Sequence, residues 1–249
     1  MIYQIYNLEN NIIYDLKIED LLIFIKNNFN SIFYKIINNK HIKINNNIVL
    51  NTIFIIHRIN NINELLNIDK QFGIEIDIRN NNNDIILSHD PFNENDCDLL
   101  IDYLDKYNND LLILNIKSER LELKCIELLK KYNITNYFFL DSSFPIIYLL
   151  NNKYNDNNIA CRLSEYEPID IYYNIKNMIK YIWIDCFTKF ILTKEYYDIF
   201  VNDNKKICIV SPELQNQKEK IEEYKYIIDN NNIIPHFICC KKENIINWI

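Results

Sequence analysis

Glycine is almost absent from this chain, and basic residues are outnumbered by acidic ones. The 249 residues include one glycine, Gly73, and 27 lysines and arginines against 34 aspartates and glutamates. Since the composition favours asparagine and isoleucine so strongly, we expect the single glycine to stand where the backbone conformation requires it. The net charge of −7 argues against nucleic acid as the main partner, because binding phosphates needs a basic surface.

Paired cysteines and long apolar runs are missing as well. The seven cysteines include no Cys-x-x-Cys pair, which disfavours a zinc site, and most lie in apolar runs typical of buried thiols in a reducing compartment. No apolar run approaches the roughly 18–20 residues that span a bilayer, and the N-terminus lacks the features of a signal peptide. We therefore expect a cytoplasmic protein without a transmembrane segment.

From about Thr52 the chain alternates short β-branched segments with longer segments of helical spacing. Eight strands are predicted, at Thr52–Ile56, Gly73–Ile78, Leu111–Ile116, Tyr137–Leu140, Ile159–Leu163, Tyr181–Cys186, Lys206–Val210 and Ile234–Cys239. Seven helices are predicted between them, at Ile62–Phe72, Asp98–Tyr107, Glu119–Lys131, Pro145–Asn152, Ile169–Ile179, Lys194–Val201 and Lys218–Asp229. Apolar strands separated by single helices indicate a parallel sheet covered on both faces.

The predicted fold class is α/β, and the count of strands and helices matches a TIM (β/α)8 barrel. A doubly wound open sheet is the structural alternative, because periodicity does not separate the two. We assign the barrel to residues 51–249. Residues 1–50 form a small N-terminal extension of unknown role, with apolar patches between asparagine-rich spacers.

Polar side chains are rare near the strands, and several fall where the early strands end. In chain order they are His57, Arg58, Glu75, Asp77, His89, Asn115 and Lys117. Residues two apart in a strand point to the same side, so Glu75 and Asp77 share a face. The same holds for Asn115 and Lys117. Barrel enzymes place their active sites at the C-terminal ends of the strands, so we expect these groups to converge there.

The chemistry of these groups suits a phosphate ester and a hard cation. Two carboxylates on one face of a buried strand need a cation or several hydrogen-bond donors, because an unpaired buried charge is costly. Carboxylate and amide oxygens favour Mg²⁺ or Ca²⁺. Arginine and lysine bind phosphoryl groups, and imidazoles suit proton transfer or attack at phosphorus. An isolated Glu-x-Asp would more often be a salt-bridged pair. The functional interpretation therefore depends on the whole combination of carboxylates, imidazoles and cationic side chains.

These residues resemble the motifs of the glycerophosphodiester phosphodiesterase family. That family has His-Arg at a strand end, then Gly-Ile-Glu-x-Asp-Val, then a strand ending in His-Asp-Pro. Similar segments here are His57-Arg58, residues 73–78 and residues 89–91, and Leu114-Asn115-Ile116-Lys117 is similar to the family's Ile-Glu-Ile-Lys strand. The resemblance covers roughly residues 52–144.

The resemblance implies a TIM barrel that hydrolyses phosphodiesters with a divalent cation, Mg²⁺ or Ca²⁺. The implied roles are metal ligation by Glu75, Asp77 and Asn115, acid–base or nucleophilic catalysis by His57 and His89, and catalysis and phosphate binding by Arg58 and Lys117. The implied substrate is a glycerophosphodiester-like small molecule or a lipid head group, which would place the enzyme in lipid metabolism.

Three departures from the family keep alternatives open. Ile59 replaces the glycine after His-Arg, Asn115 replaces a third acidic ligand, and the connection after His89 is short. A compact chain of this kind is similar to the sphingomyelinase D-like phospholipases, so a lyase that forms a cyclic phosphate is one alternative. A barrel that binds phosphate esters or a protein without catalysis is the other.

Two residues beyond the motifs are further candidates for substrate binding. Arg162 ends the fifth predicted strand and is expected to bind a substrate anion or to pair with Asp185 or Glu165. Trp183 lies in the sixth strand, either as a core residue or as a wall of the substrate pocket.

Overall fold

The computed structural model describes residues 1–91 and 97–249, and its first elements form an antiparallel sheet with two helices. In chain order these are β1 (Ile2–Asn7), β2 (Ile12–Lys17), α1 (Ile18–Asn27), β3 (Phe33–Ile37), β4 (Lys40–Lys43) and α2 (Asn46–Asn51). The strand order is β2-β1-β3-β4. The buried residues of α1 are Ile18, Leu21, Leu22 and Ile25, whose spacing forms one apolar stripe.

The rest of the chain forms a nearly closed barrel of eight parallel strands. Its elements are β5 (Ile53–Ile56), α3 (Ile62–Leu65), β6 (Gly73–Asn81), β7 (Asp84–Leu87), α4 (Leu100–Lys106), β8 (Leu112–Ile116), α5 (Glu122–Lys131), β9 (Tyr137–Leu140), α6 (Phe144–Tyr154), β10 (Ala160–Leu163), α7 (Asp170–Ile175), β11 (Tyr181–Ile184), α8 (Lys194–Asn202), β12 (Lys206–Val210), α9 (Ile221–Asn230), β13 (Phe237–Cys240) and α10 (Ile245–Trp248).

The hydrogen-bonded order of the barrel strands confirms the TIM barrel and excludes the open sheet. That order is β10-β11-β12-β13-β5-β6-β8-β9, and a parallel bridge between Phe139 and Ile159 joins its two ends. The strand β7 lies outside the ring and pairs with β6 in antiparallel orientation. Among the described residues, no helix combines the length and apolar character needed to cross a membrane.

The first predicted helix is much shorter than its apolar spacing suggests. It was expected over Ile62–Phe72 but ends at Leu65. The side chain of Asp69 accepts a hydrogen bond from the backbone N–H of Gln71, and the N–H of Phe72 bonds the carbonyl of Asp69. This local turn competes with continuation of the helix.

Alternation along the strands separates a core inside the barrel from a core beneath the outer helices. The buried hydrophobic residues of the inner core are Ile55, Leu111, Ile113, Phe138, Leu140, Ala160, Tyr181, Trp183, Cys208, Val210, Phe237 and Cys239. The outer core includes the N-terminal sheet, through residues such as Ile5 and Phe33. Buried Lys35 also donates a hydrogen bond from Nζ to the carbonyl of Ile246 (2.7 Å). Residues 1–50 therefore pack against the barrel, and a separate domain boundary at residue 50 stays a prediction.

Asparagine takes most of the backbone positions that usually favour glycine. Nine of the twelve described residues with positive φ are asparagines, and the others are Arg58, Arg120 and Asp141. Gly73 has no positive φ, so the expectation that backbone conformation requires it is wrong. The constraint is space, since a Cβ at Gly73 would lie 2.9 Å from Cγ1 of Ile55.

We predict that Gly73→Ala destabilises the barrel. The added methyl group meets Ile55 inside a packed core, and overpacking of this kind costs about 1–3 kcal/mol. Urea unfolding measures the loss, with Asn80→Ala at the exposed end of β6 as the control. An unchanged free energy of unfolding in Gly73→Ala would contradict the packing explanation.

Candidate active site

The loop after β5 starts the site at the C-terminal end of the barrel. The backbone N–H of His57 bonds the carbonyl of Cys240 (3.1 Å), which extends the ladder between β5 and β13 by one residue. Arg58 then takes φ of 58°, and the N–H of Ile59 bonds the carbonyl of Glu75 (3.0 Å). The turn therefore occurs at Arg58 itself, and Ile59 continues the chain without the glycine of the family motif.

Glu75 is fully buried on the inner face of β6, and its carboxylate is held by neutral donors. One oxygen accepts a hydrogen bond from Nδ2 of Asn115 (2.9 Å), and the other accepts one from the backbone N–H of Arg58 (2.8 Å). Nε2 of His57 lies 3.8 Å from the second oxygen. The carboxylate is thus held between the loop after β5 and the strand β8.

Asp77 lies two residues further along β6 and is 1% exposed. Its Oδ2 accepts a hydrogen bond from Nδ2 of Asn60 (2.9 Å) and lies 3.4 Å from Nε of Arg58. Its Oδ1 lies 3.7 Å from Nζ of Lys117. Asp77 therefore faces Arg58 and Lys117, the two cationic side chains predicted to bind the phosphate.

His89 reaches the site through a hairpin and not at the end of a barrel strand. The strand β6 runs past the barrel rim to Asn81, and β7 returns beside it, with Ile78 opposite Leu87. The N–H of Ser88 then bonds the carbonyl of Asp77 (3.0 Å), which brings the next residue back to the level of the carboxylates. The expectation that every site group follows a barrel strand is wrong here.

The hairpin holds His89 from two sides. Its carbonyl accepts hydrogen bonds from Nε and Nη2 of Arg79, at 3.1 and 2.8 Å. Its Nδ1 lies 2.7 Å from Oδ1 of Asp90, and 39% of the side chain is exposed. The Asp90 carboxylate therefore orients the ring, and this hydrogen bond lowers the pKa of Asp90.

Burial and charge keep His57 neutral at physiological pH. Burial lowers its pKa to about 4, and the positive charge of Arg58 acts in the same direction. The negative charge of Asp77 opposes this shift, and His89 and Lys117 act in the same direction as Arg58. A neutral imidazole can accept a proton.

The carboxylate of Asp77 disfavours the charge of Glu75. The pKa of Glu75 is raised, first by burial and then by the neighbouring charge of Asp77. The hydrogen bonds from Asn115 and Arg58 oppose this shift without cancelling it. An additional positive charge beside the pair would therefore be stabilising.

Arg162 forms ion pairs, but not with the expected partners. Its Nη1 lies 3.3 Å from Asp141, and its Nε lies 2.9 Å from Glu167. The expectation of a pair with Asp185 or Glu165 is wrong. Asp185 instead accepts a hydrogen bond from Gln215, and Glu165 accepts hydrogen bonds from the backbone of residues 187–189.

Asp141 links Arg162 to the centre of the site. Nζ of Lys117 lies 3.3 Å from its second oxygen, so the carboxylate bridges the two cations. Trp183, in contrast, lies inside the barrel with its ring edge-to-face against Phe138 and is 3% exposed. This position favours a core residue, and substrate contact by Trp183 stays a prediction.

Sequence reasoning did not identify Asn60 and Asp141 as site residues. Asp141 directly follows β9 and could have been found by the strand-end rule that selected Asn115. Asn60 could not have been found in this way, since it stands in an irregular loop with many other asparagines.

The oxygen atoms around the carboxylates fit a hard divalent cation. Within residues 1–91 and 97–249, no group of three or more histidine, cysteine, aspartate and glutamate side chains is placed to hold a metal. The candidate ligands at this site are the carboxylates of Glu75 and Asp77 and the amide of Asn115. Oδ1 of Asp77 and Oδ1 of Asn115 are both buried and accept no hydrogen bond, whereas each oxygen of Glu75 already accepts one. Oxygen ligands of this kind suit Mg²⁺ or Ca²⁺.

Two cavities border residues of the site. A cleft of about 900 Å³ lies beside His57 and Arg58, and its lining also includes Glu213 and Lys241. A smaller cavity of about 260 Å³ lies beside Asp141 and Arg162, with apolar walls from α6 and α7.

The barrel is similar to solved structures of glycerophosphoryl diester phosphodiesterases. One, from Parabacteroides distasonis, is 11% identical and has a TM-score of 0.56, covering 100% of this chain and 94% of that chain. Another, from Agrobacterium tumefaciens and assigned to the same class, is 10% identical with a TM-score of 0.55, covering 79% and 96%. No protein-family model and no curated protein sequence matches the chain. The likeness establishes a shared barrel fold with the family whose motifs the sequence resembles.

We predict that the free energy of unfolding of the metal-free protein, measured relative to that of Glu75→Gln, falls as the pH rises from about 5 to about 8. Glu75 binds its proton more tightly in the folded chain than in the unfolded chain, where its pKa is near 4.5. Above that value Glu75 keeps its proton in the folded chain longer than in the unfolded chain, so its own contribution to the free energy of unfolding decreases with pH. His57, whose pKa is lowered to about 4, contributes in the opposite direction in both proteins, so the comparison isolates Glu75. Urea unfolding in EDTA measures both proteins. Parallel profiles would contradict the assignment.

Proposed function

We propose that this protein is a metal-dependent phosphoric diester hydrolase that acts on a glycerophosphodiester-like substrate. The observation that supports the proposal is the convergence of two imidazoles, two carboxylates and two cationic side chains at one mouth of a TIM barrel. The shared fold with glycerophosphoryl diester phosphodiesterases supports it further. We include a cytoplasmic location and a role in lipid metabolism in the proposal.

Glu75, Asp77 and Asn115 would hold the cation, Mg²⁺ or Ca²⁺. When bound, the cation would neutralise the negative charge that develops on the phosphoryl oxygens. Arg58 and Lys117 would bind the same phosphoryl group, because both already face the carboxylate of Asp77. The planar guanidinium suits two phosphate oxygens, and the ammonium acts as a compact charge.

The two histidines suit complementary proton transfers. His57 is neutral and can take a proton from the attacking water or attack phosphorus directly. His89 is oriented by Asp90 and can give a proton to the alkoxide that leaves as the P–O bond breaks. The net reaction consumes one water and releases an alcohol and a phosphomonoester.

The cavities favour a substrate with a polar group on at least one side of the phosphate. The larger cleft carries both acidic and basic side chains, among them Glu64, Glu213 and Lys242. Such a wall can bind a hydroxylated or zwitterionic group by hydrogen bonds and charge. Glycerol-containing phosphodiesters and lipid head groups have this character.

One observation favours a second candidate, a barrel that binds phosphate esters without catalysis. Asp77 already lies within ion-pair distance of Arg58 and Lys117, so part of its charge is compensated by the chain itself. Asn115 also provides one negative charge fewer than an acidic ligand would. In this alternative, an anion binds between the cations and no bond is cleaved.

We predict that the wild-type protein hydrolyses glycerophosphocholine and bis(p-nitrophenyl) phosphate with Mg²⁺ or Ca²⁺ and is inactive in EDTA. His57→Ala should lose about 10²–10⁴-fold in kcat/KM, because the proton acceptor is removed. The matched control is His41→Ala, which changes an exposed histidine of β4. Product analysis by ³¹P NMR separates hydrolysis from formation of a cyclic phosphate.

The outcomes of this experiment decide between the candidates. Activity that survives in His57→Ala or in EDTA would contradict the mechanism. Binding of a phosphate ester without turnover in any metal would support the non-catalytic alternative, and a cyclic product would support the lyase.

We predict that Asn115→Asp binds Mn²⁺ about tenfold more tightly than the wild type, since a third carboxylate adds ligand charge. Mn²⁺ serves as a probe for Mg²⁺ because both prefer oxygen ligands. Calorimetric titration measures the dissociation constant, with Asn136→Asp, outside the site, as the control for added charge. Equal affinities in Asn115→Asp and the wild type would show that residue 115 is not a ligand.

A further inference from the structure

Asn60 contacts Asp77 through both ends of its amide group. Its Nδ2 donates a hydrogen bond to Oδ2 of Asp77 (2.9 Å), and its Oδ1 accepts one from the backbone N–H of Asp77 (2.8 Å). The side chain of Asn60, in the loop after β5, thus binds both the main chain and the carboxylate of Asp77 on β6.

The orientation of the Asn60 amide follows from chemistry. A backbone N–H can only donate, so the atom facing it must be the amide oxygen. The amide nitrogen then faces the carboxylate, where its donor is needed. This pairing leaves Oδ2 of Asp77 occupied and Oδ1 buried without a hydrogen-bond donor.

The loop that carries Asn60 is itself held firmly. The buried hydroxyl of Tyr103 donates a hydrogen bond to the carbonyl of Ile59 (2.9 Å). On the other side, the N–H of Ile62 bonds a carboxylate oxygen of Asp98 (2.6 Å). With both flanks anchored, the amide of Asn60 is preorganised, and its two hydrogen bonds require little further ordering of the chain.

A carboxylate without this hydrogen bond would be free to turn towards its cationic neighbours. Nε of Arg58 lies 3.4 Å from Oδ2, and Nζ of Lys117 lies 3.7 Å from Oδ1. Rotation about the bond to the carboxylate carbon would let either cation take the oxygen that now has no hydrogen-bond donor. The contact with Asn60 opposes that rotation.

We propose that Asn60 is a positioning residue that fixes the Asp77 carboxylate so that Oδ1 remains available to a divalent cation. The inference rests on the proposed function, because it takes Asp77 as a metal ligand. Outer hydrogen bonds of this kind commonly change metal affinity by about 10–100-fold, although the residue itself does not touch the metal.

The test measures Mn²⁺ binding by electron paramagnetic resonance in the full-length wild type and in Asn60→Ala. We expect the dissociation constant of Asn60→Ala to rise about tenfold or more, with a changed spectrum of the bound ion. The matched control is Asn61→Ala in the same loop. Asn61 accepts a hydrogen bond from the N–H of Glu64 (2.8 Å) at the start of α3, so its loss weakens the loop without touching Asp77.

The controls separate this inference from the proposed function. Urea unfolding verifies that each variant folds, and Asn60→Gln replaces Asn60→Ala if the latter does not fold. The longer side chain cannot make both hydrogen bonds, so the same loss of affinity is expected. If the wild type binds Mn²⁺ and Asn60→Ala binds it equally well, the positioning role is wrong and the proposed function stands. Equal losses in Asn60→Ala and Asn61→Ala also overturn the role. A wild type that binds no Mn²⁺ overturns both.

Discussion

Two carboxylates placed side by side inside the barrel are the constraint on which the rest of the site depends. Glu75 and Asp77 are almost completely buried on β6, where neither charge is stabilised by water. Two neighbouring segments supply compensation. The loop after β5 contributes the amide of Asn60 and the cation of Arg58, and the end of β8 contributes the amide of Asn115 and the cation of Lys117. The proposed catalytic role rests on this arrangement, because the carboxylates are able to bind a cation and the cationic side chains beside them are able to bind a phosphate.

The barrel was predictable because its strands carry a strong local signal. Strands buried on both faces are continuous apolar runs, and β9 and β12 begin and end at the predicted residues. The shared face of Glu75 and Asp77 followed from the two-residue repeat of a strand. His89 was selected with the other polar groups near strand ends and matched the motif resemblance, but it follows the hairpin strand β7 and not a barrel strand.

The remaining features depend on contacts between distant residues, which no local pattern encodes. His89 returns to the site because β6 extends past the rim and β7 pairs with it in register. The ion-pair partners predicted for Arg162 were wrong, because its observed partners, Asp141 and Glu167, lie in a turn and a loop. Residues 1–50 showed apolar patches, but the pairing of four antiparallel strands and their contact with α10 are long-range events.

The asparagines in left-handed turns also act on the unfolded chain. Glycine at those nine positions would make each turn easy to form but would leave the denatured state with more conformations to lose. Asparagine restricts that disorder and can still adopt positive φ at modest steric cost. With asparagine in place of glycine, the unfolded chain has fewer conformations to lose on folding. Part of the stability therefore comes from the lower conformational entropy of the unfolded state.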